Sequence, residues 1–255
     1  MTTSAFARLL AAAPAVCVLT GAGISTDSGI PDYRGPQGVW TKDPDAAKYV
    51  TLDTYLADPQ LRRESWLRRR DHPAWDAEPN AAHAALVALE KRGQLAAIIT
   101  QNIDGLHQKA GSDPAKVIEI HGTIFGVECM TCRQRTTMRS ALDRVAGGEA
   151  DPACLECGGI LKSATISFGQ NLDTEVLRAS VEAVRAADLL VTIGTSLTVH
   201  PAAGLVDVAL NAGSRVVICN AEPTPYDAVA HAVVRDPIGE ALPSVVAETE
   251  IDEQP

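Results

Sequence analysis

The sequence has no apolar run that approaches the roughly 20 residues needed to span a lipid bilayer. Its first residues also lack the basic stretch and the small-residue cleavage site of a secretory signal peptide. We therefore expect no membrane association and a cytoplasmic protein. Because thiols stay reduced in that compartment, the six cysteines are expected to bind a metal or to lie buried rather than to form disulfides.

Positive charge is also scarce. The 255 residues include 22 lysines and arginines against 32 aspartates and glutamates, which gives a net charge of -10. Such an excess of negative charge repels phosphate backbones and argues against a nucleic-acid partner. An acidic surface suits lysine-rich protein segments as partners, although solubility alone explains it equally well.

Four of the six cysteines form two Cys-x-x-Cys pairs. Cys129 and Cys132 are followed, after 21 intervening residues, by Cys154 and Cys157. This spacing is typical of a tetrahedral zinc site in which thiolates take all four positions and leave none for a reactive water. We predict a structural Zn²⁺ ion. The other two cysteines lie within apolar runs and are expected to be small core residues.

Short apolar runs rich in β-branched residues alternate with helical patterns along most of the chain. The runs that predict buried strands are residues 15–19, 95–100, 117–120, 189–193, 215–219 and 232–234. The patterns that predict helices are residues 4–13, 80–91, 174–186, 201–212 and 239–246. Strands that alternate with helices favour the α/β class, with a parallel sheet covered by helices on both faces.

Two stretches interrupt this alternation. Residues 35–79 are rich in proline, tryptophan, arginine and aspartate, and residues 123–165 contain the paired cysteines. We assign both to one small module, a helical insertion followed by a four-cysteine zinc ribbon. The main domain is then built from residues 1–34, 80–122 and 166–255.

Two glycines follow the first predicted strand directly. Gly21 and Gly23 stand where backbone amides approach a pyrophosphate at the mouth of a parallel sheet. Thr26 stands where a dinucleotide fingerprint has its third glycine, and no clear acid ends a strand to hold the ribose, so an ordinary dehydrogenase is a poor match. Taken alone, the two glycines are equally consistent with a tight turn.

Polar residues also follow three later strands, at residues 100–105, 194–196 and 219–222. Ligands of open α/β sheets bind outside the carboxyl ends of the strands. We therefore expect these residues and the glycine loop to form one ligand-binding rim.

Seven features in one order resemble the sirtuin family. They are GAGIS from Gly21, IPDYRG from Ile30, TQNIDGLH from Thr100, IHG from Ile120, the paired cysteines, GTSL from Gly194 and CNAEP from Cys219. The resemblance covers residues 5–247. It implies a Rossmann-like domain plus a smaller zinc-binding module, with NAD and an acyl-lysine entering the cleft between them. The implied activity is NAD-dependent protein lysine deacetylation or deacylation, with NAD consumed and nicotinamide released.

The resemblance also implies roles for individual residues. Gln101 is expected to reach the nicotinamide ribose, while Asn102 and Asp104 are expected to hold the nicotinamide carboxamide, which requires both a donor and an acceptor. Ile238 is expected to supply a main-chain contact near adenine. The whole set implied to bind NAD is Gly21, Ala22, Gly23, Ser25, Asp32, Tyr33, Arg34, Trp40, Gln101, Asn102, Ile103, Asp104, Gly194, Thr195, Ser196, Asn220, Ala221, Glu222 and Ile238.

His121 is the expected proton-transfer residue and, with Asn102 and Asp104, completes the implied catalytic set. An imidazole titrates near neutral pH and accepts a proton from a ribose hydroxyl. In the mechanism implied by the family, the acyl oxygen attacks the nicotinamide ribose, nicotinamide leaves, and His121 activates the 2'-hydroxyl that takes up the acyl group. The histidines expected to be structural, with satisfied ring nitrogens, are His72, His83, His107, His200 and His231.

The segment from Asp32 to Trp40 is the expected lid, because expulsion of nicotinamide requires a cleft closed to water. The peptide is expected to add as a strand between residues 167–170 and 198–200. The preferred acyl group stays open. The succinyl-selective branch of the family has a Tyr-x-x-Arg pair, and no tyrosine lies between Leu56 and His83. Desuccinylation is therefore disfavoured, and Arg68 to Arg70 are expected to form a solvated helix face.

Two alternative functions remain open on the sequence alone. A mono-ADP-ribosyltransferase or an NAD hydrolase would use the same nicotinamide pocket with another nucleophile. A non-catalytic NAD-binding module would keep the zinc fold without turnover, although the joint presence of His121, Asn102 and Asp104 argues against it. The expected partners are acylated-lysine proteins or peptides and NAD, without nucleic acid and without a membrane.

Overall fold

A computed structural model describes residues 2–251 of the chain. The nine strands in this span are β1 (Val16–Thr20), β2 (Leu95–Thr100), β3 (Val117–Glu119), β4 (Gly122–Cys129), β5 (Arg135–Thr137), β6 (Leu161–Thr165), β7 (Leu189–Ile193), β8 (Arg215–Cys219) and β9 (Ala232–Val234). Six of them form one parallel sheet in the order β3-β2-β1-β7-β8-β9. The predicted parallel sheet is confirmed.

Ten α-helices and six short 3-10 helices lie in the same described residues. The α-helices are α1 (Thr2–Ala11), α2 (Val39–Lys42), α3 (Leu52–Ala57), α4 (Pro59–Arg70), α5 (Ala81–Lys91), α6 (Leu106–Ala110), α7 (Met138–Ala146), α8 (Thr174–Arg185), α9 (Leu205–Asn211) and α10 (Ile238–Ile251). The 3-10 helices are Ala22–Ser28, Pro44–Val50, Pro73–Trp75, Pro114–Lys116, Ala202–Gly204 and Asp227–Val229. No helix among residues 2–251 is both long enough and apolar enough to cross a membrane.

The sheet is covered by helices on both faces. Alternate residues of β1 point to opposite sides, so Val18 packs with α1, α5 and α10, whereas Leu19 packs with α8 and α9. Cys17 and Cys219 are buried, and burial raises the pKa of each thiol to about 12, as expected of inert core cysteines. The two helical layers therefore hide the whole length of β1 and β7 from solvent.

The register of the sheet aligns the carboxyl ends of its central strands. Thr20 of β1 pairs with Thr100 of β2 and with Ile193 of β7, and Ile193 in turn pairs with Cys219 of β8. The chain therefore leaves four adjacent strands along one edge of the sheet. This alignment brings the predicted polar rim together.

Most predicted boundaries agree with the structure to within two residues, and two helices differ more. Residues Ala202–Gly204 form a 3-10 turn before α9 begins, whereas the sequence predicts a helix from residue 201. Helix α10 continues to Ile251, past the predicted end at residue 246, although it contains Pro243. Burial of Leu242, Val245 and Val246 against the sheet maintains this helix despite the missing proline amide.

The remaining three strands form a separate antiparallel sheet in the order β5-β4-β6. It packs with α4 and α7 around a separate apolar cluster that includes Trp66, Val127, Met138 and Leu161. Residues 35–79 and 123–165 thus contribute to one packed unit through α4, α7 and these strands.

A single carboxylate ties α4 to the loop before β6. Asp151 accepts hydrogen bonds from Arg62 Nε at 2.8 Å and from Trp66 Nε1 at 3.3 Å. A second Arg62 nitrogen, Nη1, donates to the carbonyls of Tyr55 and Leu56 at the end of α3. Because Arg62 is buried, these acceptors offset the free-energy cost of removing its guanidinium from water.

We expect Asp151→Ala to destabilise the protein by about 1–3 kcal/mol, because it leaves the Arg62 guanidinium and the Trp66 N–H of α4 without their carboxylate acceptor. Urea unfolding followed by circular dichroism measures this loss. Asp143→Ala is the matched control, since Asp143 is exposed and its carboxylate has no partner among the described residues. Equal stability of the two variants would contradict the role of Asp151.

Candidate active site

The loop after β1 packs directly against the end of β7 through glycines. A Cβ on Gly21 or on Gly23 would lie 2.7 Å from atoms of Gly194. Gly194 has a φ of 63°, and a Cβ there would collide with the amide nitrogen of Ile24. The Gly23 amide donates to the Gly194 carbonyl at 2.9 Å. Only glycine permits this approach, so the loop and the β7 end form one rigid floor.

Two buried polar side chains follow β2. Asn102 and Asp104 are 8% and 5% exposed. Asn102 Nδ2 donates to the Gly21 carbonyl and to Ser25 Oγ, both at 3.1 Å, and Ser25 Oγ donates to Asp104 Oδ2 at 2.8 Å. The Leu106 amide donates to Asp104 Oδ1 at 3.0 Å. These bonds join the glycine loop to the β2 end and fix the orientation of both side chains.

Gln101 and His121 lie beside this pair. Gln101 Nε2 donates to Thr195 Oγ1 at 2.9 Å, which links β2 to the loop after β7. His121 Nδ1 lies 3.2 Å from the Gln101 carbonyl oxygen. Because a carbonyl only accepts, Nδ1 carries the ring proton and Nε2 retains its lone pair. Burial lowers the pKa of His121, while the Gln101 carbonyl raises it in part, so the ring is neutral near pH 7.

The segment from Asp32 to Trp40 folds into a compact turn over the cleft. The Val39 amide donates to the Asp32 carbonyl at 2.8 Å, and the Trp40 amide donates to the Tyr33 carbonyl at 3.0 Å. The Trp40 ring lies 4.9 Å from the Tyr33 ring, and the Arg34 guanidinium lies 4.5 Å from the Trp40 centroid. This turn is thus held by its own main-chain hydrogen bonds and side-chain contacts.

The same turn contacts the segment predicted to form one edge of the peptide site. The Trp40 ring lies 5.6 Å from the ring of Phe168. The Leu52 amide donates to the Phe168 carbonyl at 2.9 Å, and the Phe168 amide donates to the Val50 carbonyl at 2.7 Å. Main-chain bonds at Phe168 therefore anchor residues 50–52 to the chain that follows β6.

Below this turn lies a cleft with a volume of about 460 Å³. The predicted NAD-binding residues that line it are Ala22, Tyr33, Trp40, Gln101, Asn102, Ile103 and Asp104. Gly21, Ser25 and Thr195 lie directly behind this lining, as their hydrogen bonds to Asn102, Asp104 and Gln101 show. Together these residues form one half of the predicted rim.

The predicted adenine end lies away from this cleft. Asn220 Nδ2 donates to the Glu222 carbonyl at 2.8 Å, and Ala221 is exposed. Ser196 Oγ lies 2.9 Å from Thr198 Oγ1, outside the cleft lining. Ile238 begins α10, where a Cβ on its neighbour Gly239 would collide with the Asp27 carboxylate. The structure thus places Ile238 near the glycine loop.

The prediction of a solvated face at Arg68 to Arg70 is wrong for Arg69. Arg69 is half-buried, lines the cleft, and makes no side-chain hydrogen bond or ion pair among residues 2–251. Burial lowers the pKa of its guanidinium. Arg68 is exposed over the Tyr49 ring, and Arg70 pairs with Asp71 at 2.7 Å. The direction of Arg69 follows from the cleft wall that α4 contacts in the fold, which the local sequence does not show.

The prediction of satisfied structural histidines is also wrong in part. His72 Nδ1 and His231 Nδ1 accept the amides of Ala74 and Val216, each at 3.1 Å. In contrast, His83 Nε2 and His107 Nδ1 are buried without a hydrogen-bond partner in the described part of the chain.

The four paired cysteines converge between β4 and β6. Their sulfur atoms all lie within 4.8 Å of one another, with Cys129 Sγ 3.6 Å from Cys157 Sγ and Cys132 Sγ 3.7 Å from Cys154 Sγ. A tetrahedral ion with Zn–S bonds of about 2.3 Å requires sulfur separations of about 3.8 Å. The four thiolates therefore fit a structural zinc ion, which would close the two loops on each other.

Comparisons with known proteins agree with the family resemblance seen in the sequence. The Sir2 family profile matches residues 21–201. The chain is a member of the Sir2 family. It is 54% identical over 233 residues to NAD-dependent protein deacetylase 2 of Streptomyces coelicolor, covering 91% of this chain and 97% of that protein. It is 43% identical over 227 residues to the NAD-dependent protein deacetylase of Sulfurisphaera tokodaii, covering 89% and 88%.

Solved Sir2 structures share the fold of this Sir2 chain. A Sir2 histidine-to-alanine variant with a deacetylated p53 peptide and 3'-O-acetyl ADP-ribose aligns with a TM-score of 0.88 at 34% identity, covering 97% of this chain and 98% of that one. Sir2 bound to an acetylated peptide aligns with a TM-score of 0.86 at 33% identity, covering 98% and 100%. The predicted combination of a Rossmann-like sheet and a zinc-binding module is confirmed.

The contacts that support the Sir2 rim from behind are not predicted from the sequence. Thr100 Oγ1 accepts the Asn102 amide at 3.1 Å, and Thr20 Oγ donates to Thr100 at 2.8 Å. Asn80, the first residue of the predicted helix 80–91 and its N-cap in the structure, also donates to the Ile24 carbonyl and to Ser28 Oγ. A threonine at the end of an apolar strand was the available signal, but one sequence does not show which distant side chain it meets.

Replacing both exposed cysteines, Cys132→Ala with Cys157→Ala, is expected to lower bound zinc from about one ion per chain to near zero, because two thiolates are too few for a structural site. Elemental mass spectrometry of the purified protein measures the ion. The melting temperature should fall as well, since β4 and the loop before β6 lose their link. Cys17→Ala should retain the zinc. Full zinc content in the double variant would contradict the assignment.

Proposed function

We propose that this chain is an NAD-dependent protein lysine deacetylase in which Asn102 and Asp104 hold nicotinamide and His121 acts as the general base. The family, the names of its relatives and the cleft support this function. The observation that carries it is the joint hydrogen-bonded placement of the buried Asn102 and Asp104 at one cleft wall, beside the Gln101 and His121 pair.

Asn102 and Asp104 offer complementary groups to a neutral carboxamide. The Asp104 carboxylate accepts hydrogen bonds, and each oxygen retains a lone pair beyond the bonds to Ser25 and Leu106. The Asn102 side chain is held by Gly21 and Ser25, so it does not need to reorganise when a ligand arrives. Rigid groups of this kind favour a single orientation of the nicotinamide ring.

His121 is oriented for proton acceptance through Nε2. The Gln101 carbonyl holds the proton on Nδ1, which leaves the Nε2 lone pair for a ribose hydroxyl. NAD supplies that ribose and nicotinamide as the leaving group. Gln101 also contacts Thr195, so the same residue connects the base to the loop after β7.

The acyl-lysine peptide is proposed to add as a strand beside Phe168, where backbone bonds to residues 50–52 hold the edge in place. The segment from Asp32 to Trp40 is proposed as the lid that excludes water, because Trp40 already spans from Tyr33 to Phe168. Residues 1–34, 80–122 and 166–255 are proposed as the NAD-binding domain, with residues 35–79 and 123–165 as the small module. A cytoplasmic location stays a prediction from the sequence.

Incubation of the protein with NAD and an acetyl-lysine peptide should yield free lysine peptide, nicotinamide and O-acetyl-ADP-ribose, detected by mass spectrometry. His121→Ala should lower the rate by about 10²–10⁴-fold, the usual contribution of a positioned general base. His231→Ala is the control, because His231 is exposed at β9, away from the cleft. Protein-bound ADP-ribose or plain ADP-ribose in place of the acetyl product would favour the mono-ADP-ribosyltransferase or NAD hydrolase alternative.

The pH dependence of kcat/KM should have its acidic limb below 6.5, the ordinary value for histidine, because burial lowers the pKa of His121. The unprotonated ring is the active form. A lowered pKa keeps that form populated as the pH falls, so activity should decline only below the ordinary value. Values of kcat/KM measured from pH 5 to pH 8 test the direction of this pKa shift. An acidic limb above pH 7 would contradict a lowered pKa of His121.

A further inference from the structure

Two histidines lie buried behind the nicotinamide-binding residues. His83 of α5 and His107 of α6 are 0% and 1% exposed, and their ring centroids lie 5.0 Å apart. His83 Nε2 and His107 Nδ1 have no hydrogen-bond partner among residues 2–251. Buried polar atoms without partners are costly, so two of them on neighbouring rings require an explanation.

The direction of the hydrogen bonds on the Asn102 side fixes the tautomer of His107. Thr20 Oγ donates its single proton to Thr100 Oγ1, which also accepts the Asn102 amide. Thr20 therefore has only lone pairs left for His107 Nε2, which lies 3.0 Å away. His107 Nε2 must carry the ring proton, and its Nδ1 is an acceptor.

The capping interaction at the start of α5 is compatible with the same tautomer for His83. The Asn80 amide lies 3.4 Å from His83 Nδ1 and donates to it when that nitrogen is an acceptor. Asn80 Oδ1 also lies 3.1 Å from Nδ1, and it accepts the amides of Ala82 and His83. With Nδ1 as the acceptor of the Asn80 amide, Nε2 carries the proton, and the two unpartnered atoms are one donor and one acceptor.

We propose that His83 and His107 form a neutral hydrogen-bond relay in which His83 Nε2–H donates to a buried water and that water donates to His107 Nδ1. Every hydrogen bond of the relay then has the same direction of donation, from Asn80 towards Thr100. The two histidines are positioning residues for Asn102, and this inference rests on the proposed role of Asn102 and Asp104 in holding nicotinamide.

The relay connects two parts of the cofactor site. Asn80 Nδ2 donates to the Ile24 carbonyl at 2.8 Å and to Ser28 Oγ at 3.0 Å, so one end holds the glycine loop. The other end holds Thr100 and, through it, the Asn102 amide. A relay of fixed length therefore sets the distance between the phosphate side and the nicotinamide side of the rim.

Both rings are held neutral. Burial lowers the pKa of His107 to about 3, helped by the neighbouring His83. Burial also lowers the pKa of His83, while the Asp104 carboxylate raises it in part. A neutral pair keeps each ring as one donor and one acceptor, whereas an imidazolium would present two donors and break the sequence of bonds.

Nitrogen-15 NMR of the full-length protein tests the relay without any turnover. We expect both rings to show the Nε2–H tautomer at pH 7, and His107 to keep it at pH 5. An Nδ1–H tautomer or an imidazolium at either ring at pH 7 would overturn the proposal. Ser112→Ala should leave both tautomers unchanged, although the Ser112 hydroxyl is also buried without a partner in the described chain.

Thr20→Val tests the positioning role, because valine keeps the shape of threonine and removes the hydroxyl that joins His107 to Thr100. We expect the KM for NAD and the inhibition constant of nicotinamide to rise about threefold to tenfold, the cost of one hydrogen bond. The peptide KM should stay unchanged. Thr20→Ser should restore wild-type values.

Thr192→Val is the matched control. Thr192 is a fully buried threonine on the neighbouring strand β7, opposite Leu19, and its hydroxyl has no partner among residues 2–251. It should leave both constants unchanged. Wild-type constants in Thr20→Val would overturn the positioning role. If Asp104→Asn also left the inhibition constant of nicotinamide unchanged, the result would contradict the proposed nicotinamide pocket. The NMR measurement does not depend on that pocket and would still test the relay.

Discussion

The contact between the glycine loop and the end of β7 is the constraint on which the site depends. Gly21, Gly23 and Gly194 approach so closely that no side chain fits between them. This approach places the Gly21 carbonyl where Asn102 Nδ2 reaches it, and Ser25 where it bonds Asp104. The loop therefore positions the two side chains that we propose hold nicotinamide, in addition to its expected role beside the phosphates.

The small module depends on a different kind of constraint. Its apolar cluster is modest, and two polar links complete it: the four-thiolate zinc site and the Asp151 carboxylate between Arg62 and Trp66. Neither link supplies a reacting group. Both hold the helices that carry the cleft wall, because Arg69 and Tyr49 stand on or beside α4 and line the cleft.

The sequence predicts the parts of this protein that repeat a local pattern. Strand Leu189–Ile193 and the Asn80 cap are visible as an apolar run and a capping residue, and the cysteine spacing predicts the zinc site. The inward turn of Arg69 and the pairing of His83 with His107 are not predictable, because both depend on elements that meet only in the fold. Motif order predicts the candidate site residues, whereas the contacts that support them are long-range.

The position of Trp40 in the aromatic turn over the cleft bears on the intrinsic tryptophan fluorescence of the protein. Of its three tryptophans, Trp66 is buried in the small module and the Trp75 N–H is bound to the Arg69 carbonyl, so both are held in place. Of the three, Trp40 alone lies in the segment proposed as the lid, in tilted contact with Tyr33 and beneath Arg34. If that segment moves, the fluorescence of Trp40 is expected to follow its opening and closing without an attached dye.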